Sequence, residues 1–181
     1  MKLGEHEMKS NQSVADEIRK YMHYIYLILF AGITMWYYLY STVLEYKYPY
    51  ALYLGLRYAL MAYVLVSIAL VVWQKQYSTV LEPVFMVLIL VSAGVVTYVV
   101  KDNAVFDFAL LLVGAKNVPW KRIAYVYLCI AVVIQGVAYY ASTTGIIADI
   151  TMQADRGVRH SLGIIYPTDM AAHVLFIMLV Y

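Results

Sequence analysis

Hydrophobic positions along this chain come in long unbroken runs, and the lengths of those runs set the first expectation. A helix rising 1.5 Å per residue needs about 20 apolar residues to cross the hydrocarbon core of a bilayer. Met22–Val43, Tyr50–Trp73, Val80–Val100 and Ile123–Ser142 each meet that requirement. Pro49 opens the second run, where a helix has N–H groups to spare, and Asn117-Val-Pro-Trp120 stops and restarts the chain before the fourth. Ala104–Ala115 is only about two-thirds of the usual length and is broken by Asp107. It reads as a short tilted span, a re-entrant hairpin or a helix lying in the interface. Met170–Tyr181 reads as the start of a further, truncated span, which makes the chain the N-terminal part of something longer.

Between the runs the chain is polar in two places. Residues 1–21 mix acids and bases (Glu5, Glu7, Lys9, Asp16, Glu17, Arg19, Lys20) and lack the layout of a cleavable signal. They are expected to form a cytoplasmic tail with a short amphipathic helix around Val14–Lys20. Residues 143–169 form the second polar stretch, and residues 22–142 the transmembrane part. The fold class is therefore all-α: a polytopic integral membrane helical bundle of about five spans plus the start of another.

Composition agrees. Hydrophobic residues make up 64% and charged residues 13% of the chain, against about a quarter charged in soluble domains. The net charge of +2, without a basic run interleaved with aromatics, excludes nucleic acid as a partner and leaves the bilayer. One cysteine, Cys129, rules out an intramolecular disulfide and a cysteine-based zinc site. Many of the 20 tyrosines lie at the ends of apolar runs, where an amphipathic ring favours the water–lipid boundary.

Lys and Arg are enriched in cytoplasmic loops. If 104–115 spans, the N-terminal side holds eight (Lys2, Lys9, Arg19, Lys20, Lys75, Lys116, Lys121, Arg122) and the other side four (Lys47, Lys101, Arg156, Arg159). If it does not, the split falls to seven against five. The spanning arrangement is favoured, with the N terminus cytoplasmic and 143–169 outside. Tyr40-Ser-Thr-Val-Leu-Glu45 recurs at Tyr77–Glu82, on opposite faces in this arrangement, which argues against a shared binding role.

A charged side chain at mid-membrane costs at least about 2.5–3.5 kcal/mol, so each needs a reason. Arg57 lies about two turns inside the second run. Either it snorkels to the outer headgroups, or it faces the bundle and meets an anionic ligand. Asp107 is expected to pair with a neighbouring cation, and Gln135 to make an interhelical hydrogen bond worth about 1 kcal/mol.

The densest chemistry lies in 143–169 and just beyond. Asp149, Asp155, Arg156, Arg159, His160, Asp169 and His173 fall close together there. Arginine binds phosphate through a planar fork without losing its charge. If the segment is helical, Arg156 and Arg159 share a face and suit a pyrophosphate. The plainer reading is a solvated loop with interfacial charges.

The order of residues adds a second line. Arg159-His-Ser-Leu-Gly163-Ile-Ile-Tyr166-Pro167-Thr168, followed by an apolar helix, resembles the Arg-x-Ser-Leu-Gly-Phe-x-His-Pro-Asn signature of Wzy-type bacterial polysaccharide polymerases, within the O-antigen polymerase and ligase superfamily. The version here looks most like the exopolysaccharide and capsule polymerases. It departs from the signature at Ile164, Tyr166 and Thr168.

That resemblance implies a glycosyltransferase-type enzyme of the bacterial cytoplasmic membrane. It would join undecaprenyl-diphosphate-linked oligosaccharide units on the outer face, alongside other polysaccharide-assembly membrane proteins. It implies no cofactor and no metal, since arginines neutralise the diphosphate. Arg156 and Arg159 are expected to stabilise the leaving group and His160 to act as general base, with Asp155 or Asp169 as its partner or substitute. Arg57, Tyr166 and His173 are expected at the substrate. As a fragment the chain is expected to be inactive alone. Two other readings stand beside this one: a flippase-like transport component with Arg57 and Asp107 on its path, and a non-catalytic remnant.

Overall fold

The computed structural model describes residues 2–43, 50–73, 81–154 and 157–180, with their side chains apart from those of 2–16, 19, 152–159, 167 and 180. The helices among them are α1 (Lys2–Tyr40), α2 (Tyr50–Trp73), α3 (Leu81–Val100), α4 (Ala104–Gly114), α5 (Trp120–Thr143) and α6 (Pro167–Val180). Two short strands, β1 (Thr151–Ala154) and β2 (Gly157–His160), lie between α5 and α6. The protein is an α-helical membrane bundle. Lys20–Tyr40 of α1, together with α2, α3 and α5, is long and apolar enough to cross a bilayer, and α4 and Thr168–Leu179 are shorter apolar helices.

One expectation changes at the N terminus. The tail is not a loop with a short helix at Val14–Lys20; α1 runs as a single helix of 39 residues. Its polar half carries three Glu, three Lys, and Met8, Gln12, Ala15 and Arg19, which lose little on entering a helix, so the element continues beyond its apolar part. Parts of both copies of the repeated hexapeptide (44–45 and 77–80), together with Pro49, Lys47 and Lys75, lie outside the described residues.

Two compact units share the helices: residues 1–29 with 57–119, and residues 30–56 with 120–181. In the first, α3 and α4 form a helical hairpin turned at Lys101, whose φ of 62° is left-handed. Asp102 Oδ1 accepts the Ala104 N–H at 2.9 Å and starts the return. Phe106 packs beside Gly94 near the turn, and at the far end Lys116 Nζ lies 2.8 Å from Glu82 Oε1. At 1.5 Å per residue α4 measures only about 17 Å, and the long Lys116 and Glu82 side chains join its far end to the start of α3. Two tyrosines donate to carbonyls in the last turn of α4, Leu111 O accepting the Ala115 N–H as well. Tyr26 donates to Leu111 O at 2.9 Å and Tyr63 to Gly114 O at 3.4 Å. Gly114 permits this, because a Cβ there would meet the Tyr26 ring at 3.1 Å.

In the second unit, Leu56 covers Gly32 and Trp36 stacks on Tyr53 with ring centres 4.9 Å apart. Tyr38, Ala131 and Ile134 form the core, flanked by Tyr127, Ile130 and Ile177. The expected hydrogen bond of Gln135 is present: its Nε2 donates to Met170 Sδ, tying α5 to α6. α5 ends in a paired cap with Gly145 at φ 75°. Ile146 N–H donates to Ala141 O at 2.9 Å and Gly145 N–H to Ser142 O at 3.2 Å, so two of the last carbonyls are satisfied.

Candidate functional site

Arg57 resolves in the first unit. Its Nε lies 2.9 Å from Asp107 Oδ1, with the arginine side chain 16% exposed and the aspartate fully buried. The guanidinium also sits over the Phe106 ring, 5.6 Å from its centre. Asp107 thus has the cation expected for it, and that cation is Arg57. The charge proposed for an external anion is engaged by a carboxylate within the fold.

The polar segment between α5 and α6 belongs to the second unit and folds as an antiparallel hairpin, Thr151 pairing with His160 and Ala154 with Gly157. A helix would have placed Arg156 and Arg159 on one face, but Gly157–His160 is a strand, where successive side chains alternate. The helix expected to align that pair is not formed at Gly157–His160. Arg156 and Asp155 lie outside the described residues, and Arg159 is placed by its backbone, opposite Met152 in the register.

The residues after β2 dock the hairpin. Ser161 is fully buried; its N–H donates to Ile150 O at 3.0 Å, and its Oγ accepts the Ile150 N–H at 3.2 Å. Leu162 and Gly163 both have positive φ, 50° and 88°. Gly163 lies so close to α5 that a Cβ would stand 2.4 Å from Ala138 O. Ile164, fully buried, forms a bridge with Thr42. Around it Gly163 O accepts the Val43 N–H at 2.9 Å, and Ser41 O accepts the Ile165 N–H at 2.9 Å. Ser-Leu-Gly-Ile is thus a latch that fixes the segment against α5 and the end of α1.

That latch leaves His160 at the surface, 57% exposed, with Nδ1 at 2.5 Å from Asp149 Oδ2. Asp149 Oδ1 accepts the Leu162 N–H at 2.9 Å. The contact with His160 holds the Asp149 carboxyl below the ordinary carboxylate range, aided by the Leu162 N–H. Among the described residues the partner of His160 is Asp149, where Asp155 or Asp169 was expected, and Asp155 lies outside those residues. The hairpin joins residues eleven apart in sequence, a pairing that a reading by proximity along the chain passed over.

The remaining candidates belong to the start of α6. Tyr166 is exposed, and its carbonyl accepts the N–H groups of Asp169 and Met170 at 3.1 and 3.2 Å. Pro167 occupies the first helical position, where its fixed φ suits the helix, and Asp169 lies in the first turn, favourable beside the positive end of the helix dipole. His173 faces α1. Its Nε2 is 3.2 Å from Ser41 Oγ and its ring 4.4 Å from that of Tyr38, whose hydroxyl meets that of Tyr127 at 2.7 Å. Among the described residues no three His, Cys, Asp or Glu side chains converge as metal ligands would.

No family model matches the chain, and no curated protein or solved structure matches it either.

Proposed function

We propose that this membrane protein is a polysaccharide polymerase of the bacterial cytoplasmic membrane, joining undecaprenyl-diphosphate-linked oligosaccharide units on the outer face. The observation that carries the reading is the Arg159–Gly163 motif. It forms an ordered turn at the end of the helices, docked through Ser161 and Gly163, beside a strand that carries Arg159 and ends on an exposed histidine. A reaction between two lipid-linked sugars needs polar groups beside the membrane, and the sequence of this segment carries Arg156, Arg159 and His160.

In the proposed reaction Arg159, with Arg156, neutralises charge that grows on the diphosphate as it leaves. Planar, permanently charged guanidinium suits that anion without a metal. His160 takes the proton of the attacking hydroxyl. Outward placement rests on the Lys and Arg distribution, eight against four (Lys2, Lys9, Arg19, Lys20, Lys75, Lys116, Lys121, Arg122 against Lys47, Lys101, Arg156, Arg159).

The test is Arg159→Ala at the chromosomal locus. Glycan should collapse to single repeat units that accumulate, lipid-linked, on the outer face, with insertion of the protein unchanged. Long glycan of normal length sinks the proposal. Accumulation on the inner face instead points to the transport reading.

A further inference from the structure

Asp149 is held from two directions. Its Oδ1 accepts the Leu162 N–H at 2.9 Å, and its Oδ2 lies 2.5 Å from His160 Nδ1. Leu162 is one of the three non-glycine residues with positive φ among the described residues. It precedes Gly163, whose seat against Ala138 O leaves no room for a side chain. The orientation of the carboxylate is thus dictated by the backbone of the docked turn, and the carboxylate in turn orients the imidazole.

A carboxylate accepts hydrogen bonds and does not donate them, so Nδ1 carries the proton in this contact. In the neutral ring the basic nitrogen is then Nε2. The fall of the Asp149 carboxyl below its ordinary range agrees with a charged carboxylate at neutral pH.

We propose that Asp149 is the positioning residue for His160, fixing the tautomer whose Nε2 accepts the proton of the attacking sugar hydroxyl. The proposal rests on the polymerase reading above. As the hydroxyl oxygen bonds to the anomeric carbon of the donor, the bond from that carbon to the lipid diphosphate oxygen breaks. The diphosphate leaves with the bonding pair, and the hydroxyl proton passes to Nε2. The charge on Asp149 stabilises the imidazolium so formed.

Asp149→Asn separates positioning from scaffolding. The amide oxygen still accepts the Leu162 N–H, while the amide NH2 faces Nδ1 and forces it to become the acceptor. In the full chain, labelled with 15N-histidine in lipid nanodiscs, the His160 signals are identified by their loss in His160→Gln. Wild type should show a protonated Nδ1 and an unprotonated Nε2. Asp149→Asn should reverse the two, with the Leu162 amide still protected from exchange. Elongation of lipid-linked oligosaccharide in native membranes should fall on the order of 100-fold or more, and Asp149→Glu should recover part of it.

An unchanged tautomer in Asp149→Asn overturns the positioning role. A reversed tautomer with wild-type elongation overturns the catalytic one. Elongation that survives Arg159→Ala breaks the polymerase reading instead, and is distinguishable because the tautomer measurement does not depend on it.

Discussion

A methyl group on Gly163 would meet the backbone oxygen of Ala138 at 2.4 Å, at a φ of 88° that side chains rarely adopt. Neither problem is relieved by moving a flexible side chain, because the obstacle is helix backbone. Gly163→Ala should therefore cost roughly 1–3 kcal/mol, the usual range for a strained backbone site. Amide exchange at Ser161, Ile164 and Ile165 should quicken by about tenfold for each 1.4 kcal/mol lost, while exchange within α5 stays slow. Unchanged exchange would mean that the turn is not seated on α5. The importance of a glycine here was legible in the motif. Its cause was not, since it depends on the backbone of a helix some 25 residues earlier in the chain. Asp149 stood in the polar cluster of the sequence, but its pairing with His160 was hidden for a related reason. Nothing in Ile147-Ala-Asp-Ile150 sets it above the other acids until a hairpin carries His160 back to it.

Among the elements, α4 owes its place to a charge pair. Asp107 is fully buried and meets Arg57 at 2.9 Å, so removing either partner leaves an uncompensated charge in a region of low dielectric. Arg57→Ala should destabilise the fold by about 3–5 kcal/mol, whereas Arg57→Met with Asp107→Leu should return most of that loss. Unfolding equilibria in mixed micelles measure both. A single variant as stable as wild type would show that the pair does not hold α4. The ends of α2 at Tyr50 and Trp73 were readable from the length of the apolar run, because desolvation fixes where a span begins and stops. The polar half of α1 escaped that logic, since its helix is set by residue propensity without an apolar run. The strands were hidden too. Thr151–Ala154 and Gly157–His160 contain few of the branched and aromatic residues that announce a strand.

For the molecule as a whole, the solvent of the helices is lipid. Among the described residues of α3 only Ala93 is buried, while Leu81, Phe85, Val91, Tyr98 and Val99 stand mostly exposed. Such a surface is stable only where water is excluded. Polar chemistry is correspondingly concentrated: a buried pair at Arg57 and Asp107 in one unit, and the exposed Asp149–His160 pair beside the latch in the other. The first is a structural contact within its unit, and the second is the pair on which the proposed reaction draws. In the proposed function glycan bonds form there, with release of lipid diphosphate. The most direct measurement follows both products at once, in membranes from the source cells supplied with a labelled undecaprenyl-diphosphate-linked repeat unit. Wild-type membranes should build a ladder of lengthening glycan and release one lipid diphosphate for each bond made, and Arg159→Ala membranes should do neither. An undiminished ladder in the Arg159→Ala membranes would contradict the account.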